Sequence, residues 1–404
     1  MKPNHRLFVL VLAFGFSLVG SLTTLATDLD QLIPSLYGGQ GIILPLVPGV
    51  PTSIFHVAHF QTSSVNALDQ LNSQFSSGIP SFPFNSSAGS FTFTYDRDLG
   101  AYVNTSDTLG PLFAERAATV GRGKFSVAFY GTFFNYDTFN GQSLSDIHVI
   151  ADHGPVTPVN LETNAWFHDK LDIGVDTKAS VVILSPSLTY GITDKLDVSA
   201  LLPIVNVDMK VNSSYHLDIA PNQDPATDPH STQPGSDSKS GSAFGVGDLV
   251  TEAKYRFYEN GPIDLAGAML AQFPTGDQHN FLGTGDFLLK PFLIGSRTFP
   301  QIFGSPLSLT PHVNLGYQFD ASNIDRLSAF NYVAGFDVGT RRVSLAWDIL
   351  GYLYHDGMNE VNTSVGVRWN FWKTLVLSGN VILPLNDEGL RSDVITTLGI
   401  ETYF

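Results

Sequence analysis

From Lys124 to the last residue the chain alternates polar and apolar side chains with a period of two, in segments of about ten to fourteen residues. That period puts successive side chains on opposite faces of a strand. In LSLTPHVNLGYQF, the face of Leu307, Leu309, Val313, Leu315, Tyr317 and Phe319 is apolar, against Ser308, Thr310, His312, Asn314, Gly316 and Gln318. Val361, Val365, Val367, Trp369 and Phe371 oppose Asn362, Ser364, Arg368 and Asn370 in the same way. Typical strands run about five or six residues, whereas a tilted strand needs about 9 to 11 to cross hydrocarbon. The expected fold class is all-β: a transmembrane antiparallel barrel, apolar face toward lipid and polar face toward a lumen.

Twelve such segments can be marked: 124–138, 170–191, 195–212, 244–258, 262–274, 286–298, 306–320, 327–339, 342–354, 360–371, 374–386 and 391–404. A further pair within 139–169, from QSLSDIHVI and LETNAWFHD, would raise the number to fourteen. Links such as GITDK, GTRR and NFWKT are short, while HLDIAPNQDPATDPHSTQPGSDSKSGS and PTGDQHNFLGTGD are long, as expected of two unlike rims. In LDVSALLPIVNVDMKV the apolar phase moves from even to odd positions near Pro203, which predicts a bulge there. The chain ends on VITTLGIETYF, and closure of the barrel would hold Phe404 in the wall, at the interface.

The beginning of the chain has another character. MKPNHR followed by LFVLVLAFGFSLVG reads as a signal peptide over residues 1–26, with cleavage after Ala26. Residues 27–120 are rich in Ser, Asn, Gly and Pro, with a helix-compatible NALDQLNSQF and a hairpin-like pair, SFTFTYDRD and GAYVNTSD. They are read as a leader that packs near or in the lumen of the barrel at 121–404 or on its periplasmic side, the other reading being a loosely ordered arm. A lumen of twelve strands is narrow enough for such a segment to obstruct.

Composition removes several functions. Only 14 % of residues are charged and the net charge is −16, so no basic stripe offers itself to nucleic acid. Cysteine is absent, which excludes disulfides, thiolate metal sites and a cysteine nucleophile. No GxSxG or HExxH pattern occurs, and GRGK and GTGD lack the strand–loop–helix setting of a phosphate cradle. His148, His153 and His168, with Asp152, Glu162 and Asp169, follow no metal-ligand spacing, so neither a metal nor a cofactor is expected.

Two resemblances add to this reading. An alternating final strand that closes on Phe404 resembles the assembly signal of Gram-negative outer-membrane proteins, which implies the barrel-assembly machinery as a partner. GPLFAERAATVGRGKFSV, YGITDKLDVSALLPIV, GVGDLVTEAKYRF and FPTGDQHNFLGTGDFLLKP resemble the outer-membrane transporter family named for the meta-pathway of phenol degradation. That resemblance implies passage of hydrophobic or aromatic compounds.

The charged residues on polar strand faces are the expected lumen lining: Asp248, Glu252, Lys254, Arg256, Asp264, His312, Asp337, Asp348 and Arg368. The functional expectation is passive uptake of a small-molecule solute across the outer membrane, with membrane lipids around the wall. Two other classes stay open: a barrel with a structural or surface role, and a barrel enzyme of lipase type with His312 opposite a lumen serine.

Overall fold

The computed structural model describes residues 28–36, 66–81, 93–96, 101–104, 106–152, 170–218, 235–259, 261–372 and 374–404. The signal peptide, His153, His168 and LETNAWFHD lie outside them.

Twelve antiparallel strands close on themselves among the described residues. They are β1 (Phe125–Tyr136), β2 (Lys170–Gly191), β3 (Leu196–Leu201, continuing as Ile204–Asp218), β4 (Gly235–Val246, continuing as Leu249–Tyr258), β5 (Asp264–Phe273) and β6 (Leu288–Ser296). The second half comprises β7 (Ser308–Asp320), β8 (Ala329–Gly339), β9 (Val343–Tyr354), β10 (Asn359–Trp372), β11 (Leu375–Pro384) and β12 (Ile395–Tyr403). The last strand pairs with the first, from Thr396↔Phe133 to Tyr403↔Ser126. Phe404 and Phe125 then exchange two backbone hydrogen bonds, of 2.9 and 3.1 Å, and their rings stack at 4.9 Å. Closure leaves no edge with unpaired amides in the lipid.

Among the described residues the barrel closes on twelve strands and not fourteen. Ile147–Asp152 is a short strand laid along the outer end of β2, where it pairs from Ile147↔Val175 to Asp152↔Lys170. Thr138–Phe139, Gln142–Ser143 and Leu390–Arg391 make a separate small ribbon.

Around the barrel the outward positions are large and apolar, among them Phe129, Leu188, Met269, Leu293, Leu315, Leu345, Val365 and Leu398, all exposed. Aromatics crowd the short-turn rim at Tyr190, Tyr255, Phe257, Tyr258, Trp369, Phe371 and Trp372. Trp and Tyr favour the membrane interface in this way. The rim with short turns is the periplasmic one in such barrels. A closed barrel with an apolar outer band and aromatic belt spans the outer membrane.

The neighbouring strands β2, β3 and β4 are much longer than the band they cross, and here the structure corrects the expectation at Pro203. The ladder between β2 and β3 runs through Pro203 in one register, Ser187↔Leu201 and then Leu184↔Ile204. Odd residues of β3 face inward on both sides of Pro203; what changes is the surroundings. Below it the outward residues Val198 and Leu202 meet lipid, and above it the outward residues Asn206, Asp208 and Lys210 meet water while Val205, Val207, Met209 and Val211 are buried inside. β2 inverts the same way: Leu184, Leu188 and Tyr190 point out below, and Leu171, Ile173, Val175 and Val181 point in above. The register slip sits instead on β4, between Val246↔Ile204 and Val250↔Leu201, where one extra residue near Gly247 switches the inward face from odd to even.

The apolar interior above the membrane is filled by the leader. Leu29, with Leu32 and Ile33 of helix α1 (Leu32–Ser35), and Leu68, Leu71 and Phe75 of helix α2 (Asn66–Gly78), pack with Phe281, Leu282 and the inner face of β2 and β3. The four-residue spacing from Leu71 to Phe75 puts both on one side of α2. Phe75 meets Tyr136 edge-on at 5.8 Å and stacks on Phe281 at 6.3 Å.

This arrangement predicts a position-dependent cost for charge on the outer face. Leu398→Arg, within the band, should destabilise the barrel by about 2–4 kcal/mol. Asp208→Arg, above it, should stay within about 0.5 kcal/mol. Urea unfolding in lipid vesicles measures both, and equal costs would contradict the assigned band.

Candidate functional site

Residues 107–121 form an irregular loop inside the barrel that enters from the short-turn rim and returns to it. Asp107 contacts Arg341 in the turn between β8 and β9 at 3.2 Å, and Leu109 donates its N–H to Ser344 Oγ at 2.7 Å. Farther up, the side chain of Asn314 pairs with Glu115 as a strand would, accepting from its N–H (2.6 Å) and donating to its carbonyl (2.9 Å). On the way back Ala117 N–H donates to Ser296 Oγ (3.1 Å) and Val120 N–H to Asp197 Oδ2 (2.8 Å). Non-helical backbone at membrane depth needs such partners, and here wall side chains supply them.

Two buried ion pairs fasten the loop. Glu115 Oε2 lies 2.7 Å from Lys254 Nζ, and both side chains are buried. Arg116 donates to both carboxylate oxygens of Asp337 on β8 and to Thr108 Oγ1. Arg368 supports the loop differently, donating to Pro111 O (2.8 Å) while paired with Glu401. Glu401 also accepts from Ser126, Tyr130 and Tyr403, which ties β12 to β1 across the closing seam.

The remaining residues of the expected lining separate into distinct places. His312 is enclosed between carboxylates, with Nε2 2.6 Å from Asp348 Oδ1 and Nδ1 3.8 Å from Asp337 Oδ1, and all three side chains are fully buried. Both ring nitrogens face acids, so the arrangement of His312 as base to a lumen serine is not the one formed. Asp248 lies at the upper rim and organises the connection between β5 and β6: it accepts from Gly276 N–H, Thr284 N–H, Thr284 Oγ1 and Gln272 Nε2 at 2.7–3.1 Å. GVGD and PTGD…GTGD are thus parts of one hydrogen-bonded unit. Arg256 is at the opposite rim, held by Asp194 O and Glu259. Asp264 sits at that rim too, paired in register with Ser296. Only Glu252 remains beside open space.

That space is a chamber inside the wall, bounded by Ser81, just beyond α2, and by Phe113 and Glu115 of the loop, about 1140 Å³ of empty volume, part of it open to solvent. Its polar lining includes Glu115, Glu252, Gln272, Lys290, Asn314 and Asn331. Phe113, Phe292, Val333, Leu350 and Tyr352 make it half apolar. Beside it the ladder between β6 and β7 is interrupted: Leu289 pairs with Phe319 and Phe292 with Gly316, while Lys290 and Pro291 have no partner on β7. Proline has no N–H to give. On the lipid side of the same place Ala253, Gly267, Met269, Pro291, Leu293 and Leu315 line a shallow notch.

Sequence reasoning missed Lys290, though FLLKPFLIG puts it on the face of Leu288 and Phe292, within a strand already marked. Glu115 and Arg116 carried no period to reveal them. Among the described residues no group of histidines and acids is arranged to hold a metal.

At the outer end the leader is latched by Asp30, whose carboxylate lies 2.7 Å from His279 Nδ1. That hydrogen bond and the Asp30 charge raise the His279 pKa above its ordinary 6.5. A raised folded-state pKa gives stabilisation that is complete below 6.5 and lost as pH rises through the higher folded value. Protection of the amides at Leu29–Gln31, taken as exchange relative to the unstructured rate at the same pH, should therefore be greater in mild acid than in base, and Asp30→Asn should flatten that profile. Within the lumen, Asp337→Asn leaves the Arg116 cation buried without its acid and should cost about 3–5 kcal/mol, read by denaturant unfolding.

No protein-family model matches the sequence, and no curated protein does. Solved barrels are similar in outline. An outer-membrane channel from Pseudomonas putida F1 has 16 % identity and TM-score 0.40, covering 71 % of this chain and 97 % of that one. The KdgM porin has 9 % identity and TM-score 0.32, covering 58 % and 98 %. A Pseudomonas aeruginosa FadL homologue has 11 % identity and TM-score 0.29, covering 71 % and 91 %. Likenesses this distant say nothing of chemistry.

Proposed function

We propose that the protein is an outer-membrane channel for passive uptake of small hydrophobic or aromatic compounds, with its leader as the movable obstruction. The observation that carries this reading is the chamber: a half-apolar space inside the barrel, bounded by Ser81, just beyond α2, and by Phe113 and Glu115 of residues 107–121. A barrel that served only as a surface element would gain by filling that space with side chains.

The lower cover is fastened by hydrogen bonds and ion pairs, two of them buried, contacts that water can replace when the loop moves toward the periplasm. The upper cover is an apolar core and is held more firmly. In this reading the loop opens and the cap persists. Three stretches that resemble the meta-pathway transporters fall on this machinery, as the loop itself, strand β4 and the connection into β6, which supports an aromatic solute. Phe404, at the closing seam, serves as the signal read during assembly.

Because the chain has no cysteine, an introduced pair is unambiguous. In Ala117→Cys/Ser296→Cys protein, oxidation should abolish the conductance steps of planar bilayers and reduction should restore them. Wild-type protein that gives neither conductance nor uptake of aromatic solutes into vesicles with a lipopolysaccharide outer leaflet would overturn the channel reading.

A further inference from the structure

The chamber holds two groups whose chemistry its own walls leave unanswered. Lys290, on the inner face of β6, makes no ion pair or hydrogen bond among the described residues. Its ammonium lies 5.8 Å from the centroid of the Phe292 ring, a weak cation–π contact. Glu252 and Glu115 bear on its charge from farther off, beyond ion-pair distance, and Glu115 is committed to Lys254. Glu252 is separated from it by a strand, since both residues flank Leu270 of β5 in register.

The second group is Asn331 of β8. It lines the same chamber and is 8 % exposed, yet neither its Nδ2 nor its Oδ1 has a hydrogen-bond partner. A buried amide left without partners carries a desolvation penalty that an incoming ligand with a matching group would recover. Gly316 lies between the two positions, paired with both Phe292 and Asn331. A Cβ there would come within 2.5 Å of Phe292 Cβ, so the absent side chain keeps the wall low between the cation and the amide.

We infer that the chamber is a binding site for small organic monoanions, with a carboxylate against Lys290, an apolar or aromatic body against Phe113, Phe292, Val333 and Leu350, and a hydrogen-bonding group reaching Asn331. Lys290 offers one positive charge without an ion pair for one carboxylate; with Glu252 also lining the chamber, nothing nearby offsets a second negative charge. The inference rests on the channel reading only for its physiological meaning, because binding is measurable without transport.

The probes are 4-hydroxybenzoate and its neutral isostere 4-hydroxybenzamide, titrated by calorimetry at neutral pH into the full chain in detergent. Wild-type protein should bind the carboxylate about tenfold or more tightly than the amide, the worth of one charge-assisted hydrogen bond. Lys290→Met should erase that preference and Lys290→Arg should keep it. Asn331→Leu should weaken both ligands alike, which separates its role from that of the cation. Heat-modifiable migration in gels verifies that each variant is a folded barrel. Equal affinity for the two probes in wild-type protein, or a preference that survives Lys290→Met, overturns the inference. Preferential binding in a protein that passes no solute would support this site and sink the transport reading; flux of neutral aromatics with no carboxylate preference would do the reverse.

Discussion

Everything in this molecule answers to one demand: at membrane depth, each backbone N–H and C=O must find a partner within the protein. The wall meets it by closing, and the final contact is the reciprocal pair between Phe125 and Phe404. The interior loop meets it by other means. Its amides at Leu109, Glu115, Ala117 and Val120 are taken by side chains of Ser344, Asn314, Ser296 and Asp197, which come from four strands. Because those partners are side chains of an otherwise complete barrel, the loop can leave without dismantling the wall. A plug made of a fifth neighbouring strand could not.

The second organising fact is that the apolar face of one sheet changes sides. Within the lipid it points outward; beyond the lipid the same strands turn their apolar residues inward onto α1, α2 and the connection from β5 to β6. The protein is thus a barrel whose outer end is built like a soluble domain, and the chamber lies where these two regimes meet. Its mixed lining follows from that position: Val333 and Leu350 continue the core above, and Asn314 and Glu115 belong to the polar lumen below.

Much of the fold was legible because the period of two is a local property. Strands β2 and β7 to β10 could be placed within a residue or two from alternation alone, and Phe404 announced the closure. At Pro203 the same signal misled. A change of environment and a slip of register produce one identical pattern along a strand, and only the partner strands, with Leu184↔Ile204 in unbroken register, distinguish them. The candidate site was legible in part. Glu252 and Lys254 stood on a polar face and do face the lumen. Their counterpart Glu115 sits in a segment without periodicity, where its role depends on a fold-back no local rule describes. Asp248 was on the correct face, yet its carboxylate serves the connecting loop, because a side chain near a rim answers to whatever folds over that rim.

The inversion along β2 and β3 also fixes how deep the molecule rides. A shift of two residues, about 7 Å along the strand, would carry Asn206 into hydrocarbon or lift Leu184 and its register partner Ile204 into water. A simple barrel, apolar outside and polar at both ends, can drift or tilt when the bilayer thickens, at fractions of a kcal/mol per Å. Here the lipids must do the adjusting, stretching or thinning to a waterline engraved in the protein.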